Sequence, residues 1–543
     1  MDALLLLGVI AGVLAHNVIF IRGEWHMRIS SILNGHLLVG FLVTYFTYQT
    51  IGDRNVGETL TIFAAATASY LTALFGSMIV YRLFFHQLSK FPGPRLAAVS
   101  KFWHIFNIRT SRNYLFLRRM HEKYGSYVRT GPNEVTLFDP GVFQLLDGWG
   151  NTTTKDIWYD IMQPRSSAIF TRDENMHREG RKVWVQSLST KAMDSFNPRI
   201  AELTHSLSRC IASYGSEAVE VGEVMSWFSF DAMGEVVFGQ HFNLLQSKKW
   251  ITAIRDRDGA LSLVGLIGDA SWIAHLAFLI VPFYGRVKNW FDMVSFCEDQ
   301  MKLRHKNGRF EDKLDMAEFF IEEHDALKTK MSLEDRDNYL GGTAVTAVVA
   351  GSDTTRAALV GVCWFLAKYP DHANKILAEI ANVDVDNADI LATLPHLNAF
   401  VNETLRLLPP AMTGTARQTG PNGLLFNDVL IPPHTKVTAP RYVIMRMESA
   451  FPQPDEFIPE RWYSRPELIR DRRAFSPFSA GSRQCVGRSV AYSELRLVVA
   501  ILLKDYHIEF APGYDPMTMW RDMKDQVTAQ PGDVMCLFKP REK

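Results

Sequence analysis

The sequence has little cysteine and no excess of charge of either sign. Only five cysteines occur among 543 residues, and no two of them form a CxxC pair. An odd number of widely spaced cysteines argues against a disulfide framework and against a structural zinc site. Lysine plus arginine and aspartate plus glutamate both total 58. This balance gives no electrostatic reason to expect a nucleic acid as partner.

Apolar residues are concentrated at the N-terminus. Hydrophobic residues make up 47% of the chain, yet the mean hydropathy is −0.04. Residues 3–21 and 60–81 are uncharged runs long enough to cross a bilayer, and 32–48 is a weaker candidate. We therefore expect residues 1–90 to be a transmembrane anchor region with one to three spans.

The charges that flank these runs predict an orientation. The first run is followed by Arg22 and Arg28, and the third run by Arg82, Lys90 and Arg95. The loop after the second run carries Asp53, Arg54 and Glu58, a net charge of minus one. By the positive-inside rule, three spans place the N-terminus in the lumen and everything after the third span in the cytosol. A single anchor, with the other apolar segments lying along the membrane surface, is the alternative.

Residues 91–543 read as one large domain, which begins at the helix-breaking segment Phe91-Pro92-Gly93-Pro94. Ser332 predicts the start of a helix that ends before Pro370, and further helices are expected over 397–408 and after Cys485. Strand-like segments are few, at 127–128, 135–138 and 431–437. The predicted fold class is mainly α with small β-sheets.

The segment from Phe475 to Ser489 carries the strongest chemical signal. Cys485 lies on a loop immediately before a predicted helix, where free backbone N–H groups favour an anionic sulfur. Gly481 and Gly487 allow tight turns and a close approach to a flat group. Arg483 offers a fixed positive charge to a carboxylate.

Phe478, Gly481, Arg483, Cys485 and Gly487 together match the pattern F-x-x-G-x-R-x-C-x-G, which resembles the haem-binding motif of the cytochrome P450 family. A chance match has odds on the order of one in ten thousand. The resemblance implies the cytochrome P450 fold and a b-type haem (heme b) whose iron is bound by the Cys485 thiolate.

Ala350-Gly351-Ser352-Asp353-Thr354-Thr355 resembles the oxygen-activation motif of the same family. An acid beside an alcohol suits proton delivery, so the resemblance implies catalytic roles for Asp353 and Thr354. By itself, this pattern more often reflects the packing of small residues in a helix.

Glu403 and Arg406 resemble the E-x-x-R pair of the family, with Arg461 as the expected third member. Residues at i and i+3 share a helix face, so a locked charge cluster with a structural role is implied. Such a pair is often only a surface ion pair.

His177, Arg181 and Arg417 resemble residues that contact the haem propionates. His177 departs from the tryptophan that is more common at its place. The alternative for each residue is a solvated charge.

The resemblance implies a monooxygenase that inserts one oxygen atom from O2 into a hydrophobic small molecule, with electrons from NADPH through a flavoprotein reductase. The similarity to fungal microsomal members implies the endoplasmic reticulum membrane, a cytosolic catalytic domain and a secondary metabolite as substrate. Residues 272–283 and 411–415 are candidates for the substrate path and pocket. Basic residues that could dock a reductase are Arg178, Lys182, Arg472 and Arg473.

Two other functions are compatible with parts of the sequence. A haem-thiolate enzyme that rearranges peroxides needs no reductase, but the intact Asp353-Thr354 pair argues against it. A membrane receptor or transporter would explain the apolar runs, but not the Cys485 loop in a domain of about 450 residues.

Overall fold

The computed structural model describes residues 2–50, 56–310, 313–414 and 416–542. The loop charges Asp53 and Arg54 and the pocket position Thr415 lie outside these residues.

Three helices, α1 (Asp2–Leu14), α2 (Ile29–Thr50) and α3 (Val56–Val80), form the N-terminal region. With short helical extensions they become segments Asp2–Phe20, His26–Thr50 and Val56–Phe85, each long and apolar enough to cross a membrane. Their large apolar side chains are mostly exposed, as with Leu37 and Phe41. This exposure supports a membrane anchor, and the number of spans stays a prediction.

Helices α1 and α3 pack closely along small residues. A Cβ atom at Gly8 would lie 2.8 Å from the backbone oxygen of Ala66, and one at Gly12 would overlap the backbone oxygen of Tyr70. Small residues allow helix backbones to approach in this way within membranes.

Nineteen further α-helices lie in the described part of the chain after residue 90: α4 (Arg95–Val99), α5 (Lys101–Asn107), α6 (Asn113–Tyr124), α7 (Val142–Asp147), α8 (Glu174–Ser187), α9 (Thr190–Ala212), α10 (Val221–Phe238), α11 (Leu244–Ser247), α12 (Thr252–Ile267), α13 (Ser271–Ile280), α14 (Gly285–Lys306), α15 (Met316–Ala326), α16 (Leu333–Lys368), α17 (Pro370–Ile380), α18 (Ala388–Leu391), α19 (Pro395–Leu407), α20 (Arg441–Ile444), α21 (Arg488–Asp505) and α22 (Thr518–Arg521).

The strands are short: β1 (Tyr127–Gly131), β2 (Glu134–Leu137), β3 (Thr154–Lys155), β4 (Val219–Glu220), β5 (Arg417–Gln418), β6 (Leu424–Phe426), β7 (Val429–Ile431), β8 (Lys436–Thr438), β9 (Tyr506–Phe510), β10 (Lys524–Gln526), β11 (Thr528–Gln530) and β12 (Met535–Pro540). The largest sheet has the order β1-β2-β8-β5-β3, in which β2 and β8 are parallel. The predicted class, mainly α with small sheets, is confirmed. Strands β3 to β6 and the strands after α21 were not predicted.

Helix α16 runs through the core and is buried over most of its length. The Ser332 hydroxyl caps it by accepting a 3.1 Å hydrogen bond from the Asp335 backbone N–H. The helix ends at Lys368, before Pro370, as the sequence predicts. The predicted helices around Glu403 and after Cys485 are α19 and α21.

Residues just before the proline-rich break already pack against the main sheet. Leu88 and Phe91 are buried in a cluster with Val135 and Val437 from the main sheet. The Arg129 N–H donates to the Pro92 carbonyl at 2.7 Å, so the break is fixed against β1.

Candidate cofactor and active site

The loop before α21 presents a cysteine beside a helix N-terminus. The Cys485 N–H donates to the Phe478 carbonyl at 2.8 Å, and Gly487 precedes the first residue of α21. All five cysteines lie in the described residues, and Cys485 is the one that is exposed. It lines a recess together with Arg181 and Arg488. The structure therefore leaves one thiol accessible to a bound group.

The local environment acts on the Cys485 thiol in two opposite ways. Nearby protein atoms exclude water from the sulfur and so raise the pKa of Cys485, although the side chain still reaches the recess. A hydrogen bond from the Gly487 N–H and the guanidinium groups of Arg181, Arg441 and Arg488 favour the thiolate and limit that rise in pKa. The polar surroundings of the sulfur thus suit an anionic ligand.

Of the two glycines in the Cys485 loop, only Gly481 has a backbone conformation that requires glycine. Gly481 has φ +58°, and a Cβ atom there would overlap the Asp147 carbonyl oxygen. Gly487 has φ −79°, which any residue adopts, so its backbone conformation does not require glycine. The close approach of Gly487 to a flat group stays a prediction. A Cβ atom at Gly487 would lie 3.9 Å from the Cys485 sulfur, an ordinary contact.

Positive groups from five segments form a cluster, of which Arg181 and Arg441 lie close enough to Cys485 to perturb it. The predicted residues Arg181, Arg417 and Arg483 are joined by Lys155 and Arg441, and these groups lie close enough to perturb one another. Burial and the Arg483 and Arg417 charges hold the pKa of Lys155 well below its usual value. Lys155 and Arg441 were missed, because each lies in a segment without any recognised motif.

In the described chain, one ring nitrogen of His177 and one guanidinium nitrogen of Arg483 have no hydrogen-bond partner. The His177 Nδ1 atom lies 2.7 Å from the Ala168 carbonyl, whereas its buried Nε2 has no hydrogen-bond partner among the described residues. Burial lowers the pKa of His177. Arg483 donates to Glu174 through Nη2, and its buried Nη1 is likewise unpaired within the described chain.

Arg417 and Arg441 are also buried. Arg417 donates to the Asp147 carboxylate at 2.7 Å and to the Tyr159 hydroxyl at 3.0 Å. Arg441 donates to the Ser476 carbonyl at 2.8 Å, and its Nη1 lacks a partner in the described residues. The solvated-charge alternative is therefore wrong for Arg417, as it is for His177.

These unpaired donors test whether haem fits the site. Buried cationic donors are costly unless an anion accepts their hydrogen bonds. Among the described residues, nothing accepts one buried N–H of Arg441 and one of Arg483. Arg441 lies close enough to Cys485 to be perturbed by it, and Arg483 is two residues away in the same loop. A flat group with two carboxylates and a metal that binds thiolate satisfies this donor set, so the residues fit haem.

Asp353 lies at a junction of three elements. Its buried carboxylate accepts hydrogen bonds from Gln530 at 2.8 Å and from Thr528, and it lies 3.2 Å from Arg356 and 3.5 Å from Arg257. Burial acts to raise the pKa of Asp353, but the two guanidinium groups and the hydrogen bonds hold it below its usual value. Asp353 thus ties α16 to α12 and to the β10–β11 hairpin.

The two threonines after Asp353 have different partners. The Thr354 hydroxyl donates to the Ala350 carbonyl at 2.7 Å, within α16. The Thr355 hydroxyl donates to Glu494 of α21 at 2.9 Å. Burial raises the pKa of Glu494 to about 8. Glu494 was not singled out from the sequence, because only the folded chain brings it to α16.

Glu403, Arg406 and Arg461 come together as a fully buried cluster. Glu403 accepts from Arg406 at 2.8 and 2.9 Å and from Arg461 at 3.0 Å. Both arginines also donate to backbone carbonyls; those of Arg406 are Met445, Pro454 and Glu456, and those of Arg461 are Pro452, Gln453 and Leu468. The cluster is therefore more than the surface ion pair that its spacing alone allows.

The predicted docking residues for a reductase lie on the exposed surface. Arg178 and Lys182 flank Glu179, which lies 3.5 and 2.7 Å from them. Arg473 pairs with Asp471 at 2.7 Å. These local pairs involve exposed groups and contribute little to stability.

Comparison with known proteins gives a consistent result. The cytochrome P450 family profile matches residues 92–537. Tryprostatin B 6-hydroxylase of Aspergillus fumigatus is 30% identical, with 95% of this chain and 92% of that protein covered. Cytochrome P450 monooxygenase notG' of Aspergillus versicolor is 31% identical, with 97% and 96% covered. A crystal structure of the cytochrome P450DA heme domain superimposes with a TM-score of 0.68 at 16% identity, covering 83% of this chain and 98% of that one.

Proposed function

Because the chain belongs to the cytochrome P450 family, a family of haem-thiolate monooxygenases, we propose that it oxidises a hydrophobic secondary metabolite at a b-type haem. The family implies the Cys485 thiolate as iron ligand, O2 as substrate and a redox partner. The observation that carries the assignment is the accessible Cys485 beside buried, unpaired cationic donors. When bound, the haem supplies the oxygen-activating chemistry, and the thiolate donates electron density to its iron.

Arg483, Arg441 and His177 are proposed to hold the propionates through their unpaired nitrogens. Arg181 adds positive charge beside Cys485. Arg417 has its donors taken by Asp147 and Tyr159, so we assign it to shaping the site through these contacts. Phe478 orients the loop by accepting from the Cys485 N–H.

Thr354 is proposed to hold a proton donor near the reacting oxygen, and Asp353 to fix the position of α16 while taking part in proton transfer. In a regular helix the Ala350 carbonyl also accepts a hydrogen bond from the backbone N–H of Thr354. The Thr354 hydroxyl can therefore rotate away without leaving that carbonyl unpaired. Glu403, Arg406 and Arg461 are proposed to fix the segment beneath the haem, which their carbonyl contacts support.

A hydrophobic substrate is supported by the names of the relatives and by the apolar surface near α13. Tryprostatin B 6-hydroxylase is named for an alkaloid substrate, and we extend only the class, a hydrophobic secondary metabolite, to this chain. Leu279 and Ile280 at the end of α13 and Phe283 just after it are exposed, as a surface in contact with lipid requires. Residues 411–414 are the described part of the proposed pocket.

We assign the enzyme to the endoplasmic reticulum membrane, with residues 91–543 as a cytosolic catalytic domain. NADPH–cytochrome P450 reductase is proposed as the electron donor, docking on the face that carries Arg178 and Lys182. The three apolar helices support membrane attachment.

The decisive experiment reconstitutes the full chain with this reductase in lipid and measures NADPH consumption and products for a panel of terpenoids, polyketides and alkaloids by mass spectrometry. A thiolate-type spectrum of the reduced carbon-monoxide complex and NADPH-dependent oxygenation of a panel member are expected. Product formation from an organic hydroperoxide, without NADPH or reductase, would instead identify the peroxide-rearranging alternative.

A further inference from the structure

The loop between the first two N-terminal helices is bound to the large domain. Both carboxylate oxygens of Glu24 accept hydrogen bonds from Arg172, from Nη1 and Nη2 at 2.7 Å each. A bidentate pair of this kind fixes orientation as well as distance. The loop is therefore held in one position against the residues before α8.

A second pair completes the contact. His26 is buried, and its Nε2 lies 2.8 Å from Asp160 Oδ2, which also accepts from Arg172 Nη1 at 2.8 Å. Side-chain exposure falls from 38% for Glu24 to 12% for Asp160 and 5% for His26. Donor atoms of Glu24, His26 and Asp160 lie within 4.8 Å of one another, but the Arg172 guanidinium already supplies the positive charge between the carboxylates.

Each contacted residue adjoins a residue that holds or shapes the proposed haem site. Asp160 follows Tyr159, whose hydroxyl accepts from Arg417 at 3.0 Å. Arg172 precedes Asp173, whose carboxylate caps α8 through the Met176 N–H at 2.8 Å. Helix α8 carries His177 and Arg181.

The third segment is strand β5, where Gln418 follows Arg417. Gln418 donates to Glu24 Oε1 at 3.4 Å, and its own Oε1 accepts from Arg172 at 3.5 Å. One loop thus contacts three segments that converge on the cationic cluster near Cys485.

We propose that residues 22–28 form a positioning loop, which couples the membrane helices to the carboxylate-binding end of the haem site through Glu24, His26, Asp160 and Arg172. This inference rests on the proposed haem placement. Membrane attachment alone needs neither a second span nor a bound loop. Loss of Arg172 or Glu24 leaves a charge of the cluster without compensation, and the inner members Asp160 and His26 are mostly buried, so the three segments loosen together.

The test is a double-mutant cycle on the full-length protein in nanodiscs, using Glu24→Gln, Arg172→Gln and the double variant. Two measurements are made: hydrogen exchange of peptides that cover residues 154–173, and the rate of haem transfer to apomyoglobin. We expect Glu24→Gln to speed both by about tenfold, the effect of losing one charge-assisted hydrogen bond. Arg172→Gln, which loses its bonds to Glu24 and to Asp160, should speed both by at least as much. The double variant should be no worse than Arg172→Gln alone, because both residues belong to one contact.

The matched control is the exposed pair Glu202 and Arg209 on α9, 3.2 Å apart, whose Glu202→Gln and Arg209→Gln variants should change neither rate. Additive effects of the two test variants, or exchange equal to wild type, would overturn the proposal. Faster exchange with unchanged haem transfer would also overturn it, because the loop would then be only a tether. If the wild-type protein bound no haem, the proposed function would fail, while exchange would still decide whether the loop holds residues 154–173.

Discussion

The carboxyl group of Glu494 accepts a 2.9 Å hydrogen bond from the hydroxyl of Thr355, which joins α21 to α16 inside the core. Both side chains are buried. Burial raises the pKa of Glu494 to about 8 from an ordinary value of 4.5. The helix that follows Cys485 is thus joined to the helix that carries Thr354 through a carboxyl group that is neutral at pH 7.

This pair predicts a specific pH dependence of stability. Between pH 4.5 and 8 the unfolded chain releases the Glu494 proton and the folded chain keeps it, so the free energy of unfolding falls as pH rises, by about 1.4 kcal/mol per unit. Glu494→Gln keeps the hydrogen bond and removes the titration. The decline in thermal midpoint from pH 5 to 8 should therefore be smaller in the variant. Glu122→Gln, at an exposed position, serves as the control, and an equal decline in all three proteins would contradict the prediction.

Replacing Cys485 by alanine should abolish the thiolate-type absorption of the reduced carbon-monoxide complex and all turnover, because the iron loses its anionic ligand. The other cysteines are buried, and burial raises the pKa of each of them. Alanine variants of Cys210, Cys297, Cys363 and Cys536 should keep the spectrum. A normal thiolate spectrum in Cys485→Ala would refute the ligand assignment.

Thr354→Ala should keep haem and substrate binding but divert reducing equivalents to hydrogen peroxide. The hydroxyl that now donates to Ala350 would no longer be available to hold a proton donor. General acid–base assistance of this kind contributes about a hundredfold or more. The measurement is product formed per NADPH consumed. Thr354→Ser should restore the ratio, and an unchanged ratio in Thr354→Ala would identify the threonine as a packing residue.

Asp353→Asn should lower the free energy of unfolding as well as the amount of product formed per NADPH consumed. Thr354→Ala should lower only the product ratio, so the two variants can be told apart. The substitution removes a buried charge partner of Arg257 and Arg356, a loss of about 3 kcal/mol. The expected loss is at the low end of the range for breaking a buried ion pair, because Asp258 still pairs with Arg257 at 2.8 Å. Urea unfolding gives the stability, and the product ratio gives the coupling. Stability equal to wild type would show that Asp353 does not tie α16 to the hairpin.

A matched pair of truncations tests where the large domain begins. Removal of residues 1–85 retains Leu88, whereas removal of residues 1–88 deletes this fully buried side chain from its cluster with Phe91 and Val135. The protein that lacks residues 1–85 should be more stable than the one that lacks residues 1–88 by about 2 kcal/mol or more, the usual effect of removing a buried leucine side chain. Thermal midpoints of the two purified haem proteins provide the comparison. Equal midpoints would place the domain boundary after Leu88.

Local patterns in the sequence determined the fold class, the apolar N-terminal helices, the cap at Ser332, and the position of Cys485 before α21. These features depend on hydrophobic spacing, capping and motif residues that lie within a few positions of one another. The Glu403–Arg406 pairing was predictable for the same reason, since both residues share one helix face.

The tertiary structure decided which charges meet across long sequence separations. Asp353 binds Gln530, 177 positions away, Thr355 binds Glu494, and Arg441 joins the cationic cluster near Cys485. Glu24 reaches Arg172 across 148 positions. No periodicity or local motif encodes such pairs, because the free energy of a buried charge depends on which partners the packed helices bring to it.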